Sequence, residues 1–99
     1  LEKCKERYGE LLLPLAGPEV YAATPAELRA QKTIDTLVAL RQQLADLTGL
    51  PTTLSQTGRV KPEQFDEVAS TALNDGAIIV NPAEANHEEI VGILREVWA

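Results

Sequence analysis

The fold of this chain is decided by the stretch Ala72-Leu-Asn-Asp-Gly-Ala-Ile-Ile-Val-Asn-Pro82. Its Asn-Asp-Gly triplet is typical of a helix end, because glycine readily adopts the left-handed conformation that follows a last helical turn. The apolar run at 77–80 is too short to be a helix by itself, and we predict a buried loop there. Asn86 and Glu89 then have the residue types and spacing of a capping pair. The sequence therefore predicts a final amphipathic helix at about 87–98.

The longest helix is predicted upstream, at about residues 25–48. Thr24 is a candidate N-cap and Pro25 has the favoured first helical position, whereas Gly49 follows the last turn. Between these signals a wide apolar stripe recurs every three or four residues, which predicts an inward face along the whole helix. The stripe consists of Leu28, Ile34, Leu37, Val38, Leu40, Leu44, Ala45 and Leu47.

Two shorter helices are predicted from the same kind of pattern. The first covers about 2–13, and Pro14, Gly17 and Pro18 are expected to stop it, since proline lacks the N–H of a helical hydrogen bond. The second covers about 62–75, and residues 51–61 before it are predicted to be a solvated connector. The predicted inward residues are Cys4, Tyr8, Leu11 and Leu12; Phe65, Val68, Ala69, Ala72 and Leu73; and Ile90, Ile93, Leu94 and Val97, with Trp98 closing the last helix.

Composition favours an all-α fold. Of the 99 residues 44% are apolar but only 4% are aromatic, and the apolar set is mainly Leu, Ile, Val and Ala, which suits packed helices better than sheets. The length fits one small domain with one core, so we predict a small helical bundle over 1–99. Because the chain has no methionine and begins with Leu1, we do not expect it to be a complete, unprocessed translation product.

Charge excludes two classes of partner. The net charge is −6 with only nine lysines and arginines, whereas binding to nucleic acid or to an anionic membrane requires a clustered basic surface. No apolar run is long enough to span a bilayer, and no secretory pattern is present. Cys4 is the only cysteine, so no internal disulfide can form. These features predict a cytoplasmic protein.

No catalytic motif is complete. His87-Glu-Glu resembles the start of a zinc-protease motif, but that motif needs a second histidine where Val91 stands. His87 is therefore interpreted as a surface residue, and Cys4 as an inert residue of an apolar face. No strand, glycine-rich turn and helix follow one another, so a nucleotide-binding unit is not expected.

The acidic clusters have a structural explanation. Glu63, Asp66 and Glu67, and also Glu88 and Glu89, belong to first helical turns, where carboxylates interact favourably with the helix dipole. The neighbouring basic pair, Arg59 and Lys61, is interpreted as a solvated part of a loop.

Four segments together resemble a known family. They are Gly49-Leu-Pro-Thr52, Leu54-Ser-Gln-Thr-Gly58, the stretch at 72–82 and the ending Arg95-Glu-Val-Trp98. Their order resembles the carboxyl-terminal part of the iron-dependent alcohol dehydrogenases, the metal-dependent group III family, over about residues 25–98.

The resemblance implies a larger parent enzyme. Such enzymes combine an α/β domain that binds NAD or NADP with a helical domain that holds Fe²⁺, or Zn²⁺, through one Asp and three His, and they interconvert alcohols and aldehydes. With one histidine, this chain is expected to bind neither metal nor nucleotide by itself and to be inactive alone. Its expected partner is the missing upstream part of the same enzyme, and a homo-oligomer is a further candidate assembly.

The same resemblance places the 77–81 loop near the substrate cleft. Ala77, Ile78 and Asn81 are accordingly the candidate site residues. The alternative hypothesis is a stand-alone helical interaction or dimerisation module that shares only this part of the dehydrogenase domain, since likeness of fold does not fix function.

Overall fold

The computed structural model describes residues 1–99 and contains helices, turns and no strand. The predicted all-α class is therefore confirmed. The six α-helices, in chain order, are α1 (Lys5–Ala16), α2 (Pro18–Ala23), α3 (Arg29–Thr48), α4 (Leu54–Thr57), α5 (Phe65–Leu73) and α6 (His87–Glu96). Short 3₁₀ turns at Glu2–Cys4, Ala26–Leu28, Pro62–Gln64 and Gly76–Val80 complete the chain. None of the helices is both long and apolar enough to cross a membrane.

The contacts divide the chain into two compact units, Leu1–Leu50 and Pro51–Ala99. Buried residues occur in both: Leu12, Ala30 and Thr33 in the first unit, and Phe65, Ala69 and Val91 in the second. The expectation of a single domain with one core remains a prediction.

The first helix does not stop at Pro14, contrary to the prediction. Pro14 lies inside α1, which continues to Ala16. A proline so close to the helix end removes only one hydrogen bond of the last turns. Gly17 then ends the helix with φ +90°, a conformation that favours glycine, and its N–H donates to the Leu13 oxygen at 3.0 Å.

Thr24 is not the N-cap of the long helix, which is a second correction. A short helix that the sequence did not indicate, α2, precedes it, and the Thr24 hydroxyl donates back to the Val20 oxygen at 2.7 Å. The long helix itself begins at Arg29 and ends at Thr48, where Gly49 has φ +71° as expected. Arg29 ties α2 to α3, because its guanidinium lies 3.8 Å from the centroid of the Tyr21 ring and its Nε donates to the Thr24 oxygen at 3.0 Å.

Helices α1 and α3 pack through small and aliphatic residues. Leu12 and Thr33 are fully buried, and Ala30 is nearly so. The Thr33 hydroxyl donates to the Tyr8 backbone oxygen at 2.7 Å, a hydrogen bond between the two helices. Gly9 lies beside the start of α3, where a Cβ added to it would be 3.8 Å from the Ala30 nitrogen. The fully buried residues of α3, Ala30 and Thr33, both lie in its first half.

The predicted inward stripe of α3 is therefore wrong for most residues beyond its first turns, although Ala45 is half-buried. Leu37, Leu40, Leu44 and Leu47 are all exposed, and so are Leu28 and Val38. Tyr8 and Leu11, which were also predicted to face inward on α1, are exposed as well. The stripe exists, but burial requires a second element opposite it, and α1 covers only part of α3.

In the second unit, the 51–61 segment is more than a connector. It contains the single turn α4, whose first backbone N–H groups complete the end of α6: Leu54 donates to the Val97 oxygen at 2.9 Å and Ser55 to the Trp98 oxygen at 3.0 Å. These bonds satisfy carbonyl groups that a helix end leaves free. A sequence of hydroxyl and amide side chains gives no sign of such pairing.

The predicted capping pair of α6 is confirmed. The Asn86 Oδ1 accepts from the Glu89 N–H at 2.9 Å, and the Glu89 carboxylate accepts from the Asn86 N–H at 2.9 Å. Val91 is the buried residue of α6, whereas Ile93 and Val97, which were predicted to face inward, are exposed. Phe65, Ala69 and Val91 form the core of this unit, with Leu54, Val60, Ile90, Leu94 and Trp98 packed around it.

Candidate functional site

The candidate cleft segment, residues 77–81, follows a helix stop and forms a turn of 3₁₀ helix instead of an irregular loop. Asp75 starts the turn, because its Oδ1 accepts from the Ala77 N–H at 2.8 Å. The Ile78 N–H donates to the Asp75 backbone oxygen at 3.2 Å, and the Asn81 N–H to the Ile78 oxygen at 3.1 Å. A glycine at 76 and four small or apolar residues permit this tight winding.

The side chains of this segment are mostly exposed. Ala77 and Asn81 are exposed and Ile78 is half-buried. Ile79 and Val80 are 83% and 80% exposed, so the tip of the turn is apolar and lies in solvent. The expectation that the whole apolar run is buried is therefore wrong. A turn of three residues per repeat can direct only part of a four-residue run inward.

The Asn81 side chain stabilises the backbone that follows the turn. Its side-chain amide donates to the Ala83 backbone oxygen across Pro82, which fixes the direction in which the chain leaves. The segment thus offers an apolar surface next to one amide group. Residues 77–81 contain no ionisable or nucleophilic side chain, so the chemistry of this segment is that of binding and shaping.

A second, polar depression of about 330 Å³ lies between α5 and α6. Nε2 of His87 donates to the Asp66 backbone oxygen at 3.1 Å and is 3.9 Å from the Asp66 carboxylate. His87 is thus half-buried against the first turn of α5 and joins the two helix starts. The depression is lined by Asp66, His87, Glu88, Val91 and Arg95.

The side chains of this chain are not arranged to bind a metal ion. Nowhere do three His, Cys, Asp or Glu side chains converge as ligands. Val91, at the position where a zinc-protease motif needs histidine, is buried in the apolar core. His87 has one carboxylate nearby, and a metal site needs several convergent ligands. No catalytic step of this chain can therefore be derived through a metal of its own.

The other residues considered in the sequence analysis do not belong to the turn at 77–81 or to the depression between α5 and α6. Cys4 is a half-buried free thiol in the first unit. The Arg59 and Lys61 backbones belong to the turn before α5, where their N–H groups donate to Thr57 Oγ1 and Gln64 Oε1. Glu63, Glu67 and Glu89 are exposed residues of helix starts.

The exposure of Ile79 and Val80 is what sequence reasoning missed. They belong to the predicted segment, whose named candidates are Ala77, Ile78 and Asn81. A usable signal was present: the apolar run ends at Asn81-Pro82, so its last residues approach a bend where chains are normally at the surface.

Comparison with known proteins decides the family. The model of the Fe-containing alcohol dehydrogenase family, C-terminal, matches residues 1–98. This chain belongs to the iron-containing alcohol dehydrogenase family. The family match includes the first 24 residues, which the resemblance at about 25–98 did not cover.

Among curated members of the iron-containing alcohol dehydrogenase family, 1,3-propanediol dehydrogenase of Klebsiella pneumoniae is 34% identical over 92 residues. The match takes in 85% of this chain and 23% of that enzyme. The chain thus spans about a quarter of the length of its curated relative. No solved structure matches the chain significantly.

Proposed function

We propose that this chain is the carboxyl-terminal helical part of an NAD(P)-dependent, metal-dependent alcohol dehydrogenase, and that it has no activity alone. The observation that carries the proposal is the family match over residues 1–98 to a C-terminal domain. The proposed inactivity of the chain alone is supported by its side chains, since no three potential ligands lie together. The metal would then be held by another part of the enzyme.

The proposed reaction is the reversible oxidation of an alcohol to an aldehyde. The carbinol carbon gives a hydride to the oxidised nicotinamide and the hydroxyl group gives up its proton, so that alcohol and NAD(P)⁺ become aldehyde, NAD(P)H and H⁺. Fe²⁺ or Zn²⁺ and the nicotinamide belong to the upstream part. We place the enzyme in the cytoplasm, in agreement with the free thiol of Cys4.

The contribution of this chain to the reaction is positional. We propose that Ala77, Ile78 and Asn81 form part of one wall of the substrate cleft, with the neighbouring helices as its support. The hydrogen-bonded turn at Gly76–Val80 supports this role, because a wall that is fixed before substrate arrives orients it at a lower entropic cost.

A second candidate function is an interaction or dimerisation module. The observation in its favour is the run of exposed leucines on the second half of α3, since contiguous apolar surface marks interaction sites. Sedimentation of the 99-residue chain tests this candidate: a stable dimer at micromolar concentration would favour it, and a monomer would remove it.

The test of the main proposal compares two purified proteins, the polypeptide encoded by the whole reading frame and the 99-residue chain. Each is incubated with Fe²⁺, NAD⁺ or NADP⁺ and 1,3-propanediol, then with other primary alcohols, and NAD(P)H is followed by absorbance. We expect turnover by the whole polypeptide only. Turnover by the 99-residue chain would refute its inactivity, and a whole polypeptide inactive with every alcohol would refute the dehydrogenase assignment.

A further inference from the structure

The Asp75–Gly76 peptide bond lies between the end of α5 and the 3₁₀ turn at Gly76–Val80. An aspartate followed by glycine is open to attack by its own backbone, because glycine has no Cβ to shield the nitrogen that attacks. Both residues are exposed. The other aspartates of the chain all precede residues with a side chain, in Asp35-Thr36, Asp46-Leu47 and Asp66-Glu67.

The Gly76 nitrogen makes no hydrogen bond in the turn. The N–H groups of the next two residues, Ala77 and Ile78, both donate to oxygens of Asp75, whereas the Gly76 N–H has no acceptor. It is the first donor of the 3₁₀ turn, and such first donors have no partner inside their own element. A reaction at this nitrogen therefore costs no hydrogen bond.

The backbone of Asp75 holds the two reacting groups apart. A five-membered ring of the Gly76 nitrogen and the Asp75 side chain requires that nitrogen and the Asp75 Cβ to be nearly eclipsed about the Cα–C bond. With ψ at 131° they are rotated well away from each other. The Ala77 N–H, 2.8 Å from Asp75 Oδ1, and the Ile78 N–H, 3.2 Å from the Asp75 backbone oxygen, maintain this conformation. The ring can therefore close only when the turn opens.

We propose that Asp75–Gly76 is a site of spontaneous isoaspartate formation and that the turn at Gly76–Val80 suppresses the reaction. The Gly76 nitrogen forms a bond to the Asp75 carboxyl carbon, the C–OH bond of that carboxyl group breaks, and the hydroxyl leaves with the N–H proton as water. Water then opens the cyclic imide. Cleavage at the side-chain carbonyl restores aspartate, and cleavage at the backbone carbonyl gives isoaspartate. The water lost is regained, so the mass is unchanged and no cofactor takes part.

Isoaspartate at position 75 cannot rebuild this turn. The main chain then runs through the former side chain and gains one carbon, and the free carboxylate is attached directly to Cα. Both Asp75 acceptors, for the Ala77 N–H and for the Ile78 N–H, change their place relative to the donors. Each event therefore removes one molecule from the native population. The inference needs only the local geometry of residues 75–78 and does not depend on the proposed function.

Peptide mapping of the aged whole polypeptide tests the proposal. The protein is incubated for weeks in mildly acidic buffer, once in its native state and once in concentrated urea. Isoaspartate at position 75 is quantified by mass spectrometry with electron-transfer fragmentation, which distinguishes the two isomers of equal mass. Asp66, an exposed residue of α5, is the internal control. Gly76→Ala is the control variant, because an added Cβ would meet no atom within 4 Å yet would shield the nitrogen.

We expect isoaspartate at position 75 to form at least about tenfold faster in urea than in the native protein, because urea removes the turn. In urea, Gly76→Ala and the Asp66 control should both react several-fold more slowly than Asp75 of the original protein. No faster reaction at Asp75 than at Asp66 in urea would overturn the assignment of the site. Equal rates at Asp75 in the native protein and in urea would overturn its suppression by the fold.

Ala77→Pro tests whether the turn itself is responsible. Proline at 77 removes the N–H that donates to Asp75 Oδ1 and disfavours the helical conformation of Gly76, so it opens the turn and leaves Asp75–Gly76 intact. We expect the native rate of this variant to approach the rate in urea. If circular dichroism shows that the proline unfolds the protein, Ala77→Gly replaces it, since glycine loosens the turn and should give an intermediate rate. A folded variant that reacts as slowly as the original protein would overturn the proposal.

Discussion

The indole ring of Trp98 meets the ring of Phe65 edge to face, with centroids 5.8 Å apart and planes inclined by 71°. Phe65 is the first residue of α5, and Trp98 follows the end of α6, so this contact joins the start of one helix to the end of the other. Phe65 is also part of the buried core of the second unit. The expectation that Trp98 closes the last helix agrees with this contact.

The first prediction concerns this aromatic pair. Phe65→Leu, Trp98→Leu and the double variant form a thermodynamic cycle, and we expect a favourable coupling free energy of about 0.5–1.5 kcal/mol, as edge-to-face pairs give beyond their area burial. Urea unfolding of the 99-residue chain measures it. Strictly additive losses would mean that the rings do not interact.

The second prediction compares two leucines of the first unit. Leu12 is fully buried, whereas Leu37 is 41% exposed. Leu12→Ala should therefore lower the free energy of unfolding of the 99-residue chain by about 2–5 kcal/mol and Leu37→Ala by less than about 1 kcal/mol. Equal losses would restore the inward face that the sequence predicts along the whole of α3.

The third prediction tests the cap of α6. Asn86→Ala removes the acceptor of the Glu89 N–H and should cost about 0.5–2 kcal/mol of stability. Asn86→Ser keeps a side-chain oxygen at the cap and should recover most of that loss. If serine and alanine prove equally destabilising in urea unfolding, the side-chain bond is not what stabilises this helix start.

The fourth prediction tests the hydrogen bond between α1 and α3. Thr33→Val keeps the branched shape of a fully buried side chain but removes the hydroxyl that donates to the Tyr8 oxygen, so we expect a loss of about 1 kcal/mol. Thr36→Val is the matched control, because its hydroxyl donates only within its own helix, to Lys32. A Thr36→Val loss as large as that of Thr33→Val would contradict the special role of Thr33.

The fifth prediction concerns the proposed cleft wall. Ala77→Leu adds bulk at an exposed position, so it should leave the stability of the 99-residue chain within about 0.5 kcal/mol of the original. In the whole polypeptide it should raise KM for the alcohol. Ser70→Leu, an exposed control on α5, should leave KM unchanged. An unchanged KM for Ala77→Leu would remove this residue from the cleft.

Sequence reasoning succeeded where a local signal is sufficient. The Asn86 and Glu89 cap, the end of α3 at Gly49 and the apolar face of α5 all depend on residues within one or two turns of each other. It failed where a distant residue decides the outcome. The pairing of Leu54 with the Val97 oxygen gives α4 its place, and no pattern within residues 51–61 indicates it.

The candidate site shows the same division. Its position after a helix stop was predicted from Asn74-Asp75-Gly76, whereas the 3₁₀ turn and the capping by the Asp75 carboxylate were seen only in the structure. Which side chains are exposed does not follow from the sequence, because the orientation of Ile78 and Ile79 depends on how tightly the turn winds and on the element against which it packs. For Val91, the residue type alone excludes a role as a metal ligand. Its position in the core of α6 was established by the structure.

The sequence by itself determined the helical class, the cap of α6 and the end of α3 at Gly49, since these depend on the conformational preferences of residues and on hydrogen bonds to near neighbours. It also determined the family, through segments whose order is preserved along the chain. Only the tertiary structure decided which apolar residues are buried, because burial is a property of two surfaces in contact. The leucines of α3 continue the spacing of its buried residues Ala30 and Thr33, yet they are exposed.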